Sequence, residues 1–234
     1  MADVTIDGPD GSFTVYAAAP NDGDGPPAPG IVVAQEIFGV NQVMRDTCDW
    51  LATQGFVAVC PDLFWRIEPG IQLTDQSQAE WDRAFELFGL FDVDKGIEDM
   101  KTTLATLRAH EVCNGKAGSI GYCLGGKLAY LMATRSDSDG NVGYYGVGLG
   151  DLLGEADRIA KPLMLHIAEK DAFSSPEEIA KVQAGLAGNG QVSVHVYEGQ
   201  DHAFAREGGE HYDKASATLA NQRSVDFFRK ALGG

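Results

Sequence analysis

Short apolar runs alternate along this chain with longer segments in which apolar residues recur at helical spacing. Runs of the first kind are typical of strands buried on both faces of a sheet. They predict strands over residues 31–34, 56–60, 117–120, 142–147, 162–168 and 192–197.

Segments of the second kind predict helices between these strands. In the first of them Val43, Met44, Trp50 and Leu51 fit one helical face, and Gly55 stands where a glycine C-cap belongs. The predicted helices cover residues 43–54, 78–91, 97–108, 127–134, 176–187 and 215–232. Alternation of this kind predicts an α/β fold, with a mostly parallel sheet, helices on both faces and functional loops at the carboxyl ends of strands.

Composition fits one ordinary domain over residues 1–234, with 44% apolar and 22% charged residues. The net charge of −16 argues against nucleic acid or an anionic membrane surface as a partner, because those partners need clustered cations. The first residues lack the apolar stretch of a secretory signal, and no apolar run is long enough to span a bilayer. We therefore expect a cytoplasmic protein, monomeric and of ordinary solubility.

The most informative segment is Gly121-Tyr122-Cys123-Leu124-Gly125-Gly126, which lies between a predicted strand and a predicted helix. A glycine-flanked nucleophile between a strand and a helix is typical of a nucleophile elbow. The motif alone arises easily by chance, so the surrounding pattern must support it. The other cysteines (Cys48, Cys60 and Cys113) have no metal-binding spacing, and we expect reduced thiols packed as small apolar residues.

An elbow nucleophile predicts an acid and then a histidine later in the chain, each after a strand. Asp171 follows the predicted strand at 162–168, and His202 follows the one at 192–197. The thiolate would attack, the imidazole would carry the proton, and the carboxylate would fix the imidazole tautomer. We predict a Cys123-His202-Asp171 triad.

The sequence leaves alternative assignments open for the acid. Asp171 could instead cap the helix that begins near Pro176, and Asp201 is the rival acid, although adjacent side chains rarely face one another. The remaining histidines (His110, His166, His195 and His211) fit structural or surface roles better.

With these residues in place, the chain resembles the dienelactone hydrolase (carboxymethylenebutenolidase) family of the α/β-hydrolase fold, over residues 31 to 228. The matching segments are VAQEIFGVN (33–41), VCPDL (59–63), GYCLGG (121–126), GYYGVG (143–148) and HAFAR (202–206). The resemblance implies hydrolysis of an enol-lactone such as dienelactone to maleylacetate through an acyl-enzyme. It implies a small-molecule lactone or ester as the only partner.

The resemblance also assigns roles near the nucleophile. The backbone N–H groups of Ile37 and Leu124 would form the oxyanion hole. A glutamate matching Glu36 holds the resting thiol in the family and helps to activate it, which makes Glu36 a fourth catalytic residue. Tyr145, in the matching segment 143–148, is assigned to the substrate contacts.

One part of the family pattern is missing. The family binds the substrate carboxylate with two arginines, of which Arg206 matches one, while Trp81 stands at the other position and Arg83 follows two residues later. Two helical positions differ by about 200°, so Arg83 is expected to point elsewhere. Trp81 would enlarge an apolar wall beside Phe38, Phe85 and Phe88, which favours larger or less charged esters and lactones.

Two further classes of function remain open. A non-catalytic ligand-binding module would keep the pocket without the chemistry, and a thiol redox protein would pair Cys123 with Cys60, the only plausible partner. The hydrolase mechanism requires no metal and no organic cofactor, so neither is expected.

Overall fold

The computed structural model describes residues 2–233, which fall into two compact units, residues 2–118 and 119–233. The strands make a mostly parallel sheet of eight strands accompanied by helices, which confirms the predicted α/β class. Each unit is described below by itself. Within residues 2–233 no helix is both long and apolar enough to cross a bilayer.

The first unit contains strands β1 (Ala2–Gly8), β2 (Gly11–Ala18), β3 (Ala28–Ala34) and β4 (Val57–Pro61). β1 pairs antiparallel with β2, β2 pairs antiparallel with β4, and β3 runs parallel to β4. Its helices are α1 (Gln42–Thr53), α2 (Gln78–Leu90) and α3 (Val93–Ala109), with a 3-10 segment at Pro20–Gly23. α1 packs on β4 and β2, and α3 packs on β3 and β4.

Polar side chains fix where these helices begin. Asn41, Ser77 and Asp92 each accept a hydrogen bond from a backbone N–H in the first turn of α1, α2 and α3. Gly55, just beyond the end of α1, has φ +94°, as a glycine after a helix C-terminus should. The predicted helices at 43–54 and 78–91 are confirmed within one residue at each end.

The N-terminal hairpin of β1 and β2 was not predicted from the sequence. Of β1 only Ile6 is buried, where it packs with Phe13 and Val15 of β2 and with the half-buried Trp65. A strand with one buried side chain carries almost no periodic signal.

The second unit contains the end of β5 (Cys113–Tyr122), then β6 (Asn141–Tyr144), β7 (Leu163–Ala168) and β8 (Val192–Tyr197). Neighbouring strands in this series pair in parallel. The helices are α4 (Leu124–Arg135), α5 (Pro176–Leu186) and α6 (Lys214–Leu232), with a 3-10 helix at Leu149–Arg158. α4 packs on β6, and α6 packs on β7.

The strand predicted at 142–147 ends earlier than expected, at Tyr144. Tyr145 has φ +37° and Gly148 has φ +66°, and such left-handed residues turn the chain out of the sheet. Because β5 to β8 run parallel, the residues that follow each of them lie along one edge of this unit. Cys123, Tyr145, Asp171 and His202 all come from that edge.

Candidate active site

The turn that carries Cys123 is strained and depends on glycine. Cys123 has φ +55° and ψ −113°, a conformation that side chains rarely adopt, and it immediately precedes α4. A Cβ on Gly121 would lie 2.0 Å from the carbonyl oxygen of Gly125, and one on Gly126 would lie 2.4 Å from that of Tyr144. Both glycines are therefore required sterically for the strand to turn into the helix.

Cys123 belongs to a chain of three interacting side chains. His202 Nδ1 lies 2.9 Å and 3.0 Å from the two carboxylate oxygens of Asp171, and the Cys123 thiol is hydrogen-bonded to the His202 ring. All three side chains are buried. The predicted residues Cys123, His202 and Asp171 are thus brought together in the order that a triad needs.

Burial and hydrogen bonding act in opposite directions on His202. Burial disfavours the charged ring, but hydrogen bonds with Asp171 and Cys123 outweigh it and raise the pKa of His202 to about 10. At neutral pH the ring is therefore an imidazolium. A cation beside the sulfur stabilises negative charge on it, which is what a thiolate nucleophile requires.

The two aspartates near His202 have different partners. Asp201 Oδ1 accepts the main-chain N–H groups of Ala172 and His202, at 3.1 and 2.6 Å, so it braces two loops. The cap of α5 is Ser175, whose side chain accepts the N–H of Glu178. The side chain that contacts the His202 ring is that of Asp171. Asp171 is therefore not the cap of α5, and Asp201 is not the acid beside the imidazole.

Aromatic rings surround the imidazole of His202. Phe173 and Tyr145 approach it edge-on, with ring centroids 4.7 and 5.1 Å away. Phe173 was not singled out from the sequence, although a phenylalanine in the polar loop directly after the candidate acid was a usable signal. Phe173 is 47% exposed, so it lies at the solvent side of the imidazole.

The turn after His202 is also strained. Ala203 has φ +64°, and the next residue, Phe204, is fully buried. The Phe204 carbonyl accepts the N–H of Asp213 at 2.9 Å. Arg206 closes the turn through its N–H to the Ala203 carbonyl at 2.9 Å, and its side chain is 7% exposed.

In the first unit, the segment after β3 carries the other residues expected near the nucleophile. Glu36, Ile37 and Phe38 are all buried. The Phe38 carbonyl accepts the N–H of Leu73 at 2.9 Å, and a Cβ on Gly39 (φ +77°) would lie 2.0 Å from the backbone oxygen of Ile71. This close backbone approach fixes the conformation of the segment.

Three aromatic residues form a continuous cluster on this unit. Trp81 of α2 meets Phe38 edge-on at 5.0 Å and stacks on Phe85 at 5.6 Å. Phe85 and Phe88 are 45% and 37% exposed. The indole N–H of Trp81 donates to the Asp75 carbonyl at 3.1 Å, so the cluster is apolar apart from an N–H that is already bonded.

Arg83 follows Trp81 on α2 but is engaged elsewhere. Its guanidinium forms ion pairs with Glu68 and Glu86 on the exposed side of the helix. This agrees with the expectation that Arg83 does not take the place of the missing arginine.

The comparisons with known proteins agree with one another. The model of the dienelactone hydrolase family matches residues 13–232. A protein of Azospirillum brasilense is 53% identical over 100% of both chains, and the carboxymethylenebutenolidase of Pseudomonas putida is 42% identical over 86% of this chain and 85% of its own. A crystal structure from Klebsiella pneumoniae, 25% identical, superimposes with a TM-score of 0.87 over 98% of both chains. The expected α/β-hydrolase fold is thereby confirmed.

Proposed function

The chain belongs to the dienelactone hydrolase family and is a carboxylic ester hydrolase of the carboxymethylenebutenolidase type, and from that premise we propose that it opens an enol-lactone such as dienelactone. Cys123, His202 and Asp171 would carry the reaction through an acyl-enzyme. The observation that supports this most directly is the hydrogen-bonded series from the Cys123 thiol through His202 to Asp171.

The first step forms the acyl-enzyme. The Cys123 sulfur, paired with the His202 imidazolium, attacks the lactone carbonyl carbon. The ring C–O bond then breaks, and the leaving enolate oxygen takes the proton from His202. The enol becomes the ketone of maleylacetate, while the acyl group stays on the sulfur as a thioester and His202 is left neutral.

The second step releases the acid. Neutral His202 removes a proton from water, and the hydroxide adds to the thioester carbonyl. The C–S bond breaks and the sulfur leaves as a thiolate beside the imidazolium that has just formed. Asp171, 2.9 Å from Nδ1, keeps the ring oriented and stabilises its positive charge in both steps.

Two backbone N–H groups are proposed to stabilise the oxyanion. Leu124 is the first residue of α4, where N–H groups have no partner within the helix. We assign the other donor to Ile37, on the segment after β3 that Gly39 holds in a fixed conformation. Loss of one such donor typically costs about 10²- to 10³-fold in kcat.

Glu36 and Arg206 complete the proposed site. We assign Glu36, a buried carboxylate, to helping to activate the Cys123 thiol when substrate enters. Arg206, whose side chain is 7% exposed, is the proposed partner of the substrate carboxylate. A single arginine can pair with a carboxylate through two parallel hydrogen bonds.

The cluster around Trp81 favours a second candidate substrate class, namely larger or less charged esters and lactones. The Trp81 N–H donates to the Asp75 carbonyl, and Arg83 is paired with Glu68 and Glu86. Neither side chain of α2 is therefore placed to pair with a substrate carboxylate. Loss of one charge-assisted partner costs about 1.5 to 3 kcal/mol, or roughly ten- to a hundredfold in affinity.

The test compares kcat/KM on cis-dienelactone and on an uncharged aryl acetate, with Cys123→Ala as the blank. Activity on dienelactone that disappears in the blank supports the proposed function. Activity that persists in Cys123→Ala rejects Cys123 as the nucleophile. No activity on either substrate favours the ligand-binding module.

The substrate class is tested with Trp81→Arg, beside Trp81→Phe as the control that keeps a ring and removes the N–H. A gain of roughly tenfold or more on dienelactone for Trp81→Arg alone identifies position 81 as the missing carboxylate clamp. If Trp81→Arg leaves kcat/KM on dienelactone unchanged, the argument from the lost arginine is wrong.

A further inference from the structure

A chain of buried polar side chains joins β6, β7 and β8 to α6 in the second unit, and the reaction above does not use it. His166 is at its centre: Nδ1 is 2.8 Å from the Tyr197 hydroxyl, and Nε2 is 3.0 Å from Ser224 Oγ. Ser224 Oγ is in turn 2.7 Å from the Tyr144 hydroxyl. All four side chains are buried. They are termed here the His166 network.

Arg223 sets the direction of these hydrogen bonds. Its Nη1 donates to the Tyr197 hydroxyl oxygen at 3.2 Å. A guanidinium only donates, so the Tyr197 hydroxyl accepts from Arg223, which favours donation of its own proton to His166 Nδ1. With its proton on Nε2, the ring donates to Ser224 Oγ. The Ser224 proton is shared between the Tyr144 hydroxyl and the Ala220 carbonyl, at 2.7 and 3.0 Å, and the Tyr144 hydroxyl donates to Asn221 Oδ1 at 3.0 Å. Burial is the main cause that lowers the pKa of His166 well below its ordinary value, which favours a neutral ring.

The network reaches the nucleophile through the end of β6. The Tyr144 carbonyl accepts the N–H of Cys123 at 3.1 Å, and the Tyr144 ring lies 4.7 Å from that of Tyr122. On the neighbouring strand, the His166 carbonyl accepts the N–H of Tyr145 at 2.7 Å. Movement of Tyr144 or His166 would therefore move the main chain that holds the elbow.

It reaches the base through aromatic packing. The Tyr197 ring lies 4.7 Å from Phe204, and Phe204 lies 5.6 Å from Tyr145, which contacts His202 at 5.1 Å. Ala203, between His202 and Phe204, is held at φ +64°. A left-handed alanine persists only where surrounding contacts hold it, and Phe204 is its neighbour with the deepest burial.

We propose that the His166 network positions the nucleophile and the base together: Tyr144 holds the elbow of Cys123, and Tyr197 holds Phe204 and with it the turn of His202. Its members are positioning residues, because they act through other groups and do not contact the substrate. The inference rests on the proposed function, since it takes Cys123 and His202 as the reacting pair.

The test removes single hydroxyl groups and keeps the carbon skeletons. Tyr197→Phe retains the ring against Phe204, and Ser224→Ala removes the bridge from His166 to Tyr144. The matched control is Ser119→Ala, another serine with no exposed surface, whose Oγ is 2.7 Å from Asn141 Oδ1 at the start of the paired strands. Ser119→Ala loses one hydrogen bond, Tyr197→Phe loses two and Ser224→Ala loses three, so Tm should fall in all three variants and most in Ser224→Ala.

Two readouts separate positioning from stability. In Tyr197→Phe and Ser224→Ala we expect kcat to fall about tenfold with KM nearly unchanged, because a misaligned triad slows chemistry without weakening binding. We also expect slower alkylation of Cys123 by iodoacetamide in both. Ser119→Ala should keep the wild-type value of each.

Equal behaviour of the three variants in kcat and in alkylation rate would overturn the proposal, since the network would then act on stability alone. The alkylation rate needs no substrate. If Cys123→Ala retains hydrolysis, the proposed function fails, while an unchanged alkylation rate in Tyr197→Phe and Ser224→Ala rejects the network independently.

Discussion

At the scale of single residues, the charge of His202 links the site to stability. Its pKa in the folded protein, about 10, lies above its ordinary value of 6.5. A raised folded pKa contributes stability that is fully present below the unfolded pKa and is lost as pH rises through the folded one. The contribution of His202 is therefore complete below pH 6.5 and declines between pH 6.5 and 10.

This predicts a difference between wild type and His202→Gln in denaturant unfolding at several pH values. The free energy of unfolding of the wild type should fall relative to the variant between pH 6.5 and 10. Groups in this window that do not interact with His202 cancel in the difference. A difference that stays constant with pH would mean that His202 is neutral in the folded state.

The carboxylate of Asp171 is predicted to matter through its charge. Asp171→Asn keeps the size of the side chain but cannot stabilise the imidazolium, so kcat/KM should fall by roughly a thousandfold. The control is Asp201→Asn, which retains the Oδ1 that accepts the N–H groups of Ala172 and His202. A large loss in Asp201→Asn with little loss in Asp171→Asn would exchange the two roles.

Chain order alone predicted which residues would meet, because an elbow fixes where the later acid and histidine must lie. Cys123, Asp171 and His202 come together as that order requires. The ring of Phe173 and the His166 network were not predicted. They depend on which side chains face one another between strands and α6, and no local sequence period records that.

At the scale of elements, the turn from β5 into α4 depends on glycine inside a helix. Gly126→Ala would put a methyl group 2.4 Å from the Tyr144 carbonyl oxygen, so we expect a loss of about 3 kcal/mol in the free energy of unfolding. Gly89→Ala in α2 is the matched control, because a Cβ there meets nothing within 4 Å. It should leave stability unchanged or raise it by about 0.5 kcal/mol.

Thermal unfolding followed by circular dichroism measures both glycine variants. Activity should be lost in Gly126→Ala and kept in Gly89→Ala, since only the first displaces the elbow. Equal stability of the two variants would show that the contact with Tyr144 relaxes easily.

The elements that were predicted well are those with strong periods or clear ends. β8 (Val192–Tyr197) has the predicted bounds, and α5 (Pro176–Leu186) begins at its proline as predicted. β1 was missed because only Ile6 in it is buried, and β2 was missed although the buried Phe13 and Val15 alternate with exposed residues. The early end of β6 was missed because Tyr145 adopts φ +37°. A tyrosine rarely adopts this conformation, and the hydrophobic pattern does not predict it.

At the scale of the whole molecule, the surplus of 34 acidic over 18 basic residues gives a net charge of −16. Such a charge repels an anionic substrate over distances comparable with the Debye length, about 10 Å at 0.1 M salt. The repulsion acts before Arg206 can engage the carboxylate. An uncharged ester experiences no such repulsion.

Added salt should therefore raise kcat/KM on dienelactone and leave that on the aryl acetate unchanged. Between about 0.01 and 0.15 M salt we expect a gain of roughly twofold to fivefold, because screening weakens the repulsion at the encounter. Sodium chloride and choline chloride should act alike, since the effect depends on ionic strength and not on a bound cation. A decrease on dienelactone would instead mean that local attraction to Arg206, which salt also screens, outweighs the field of the net charge.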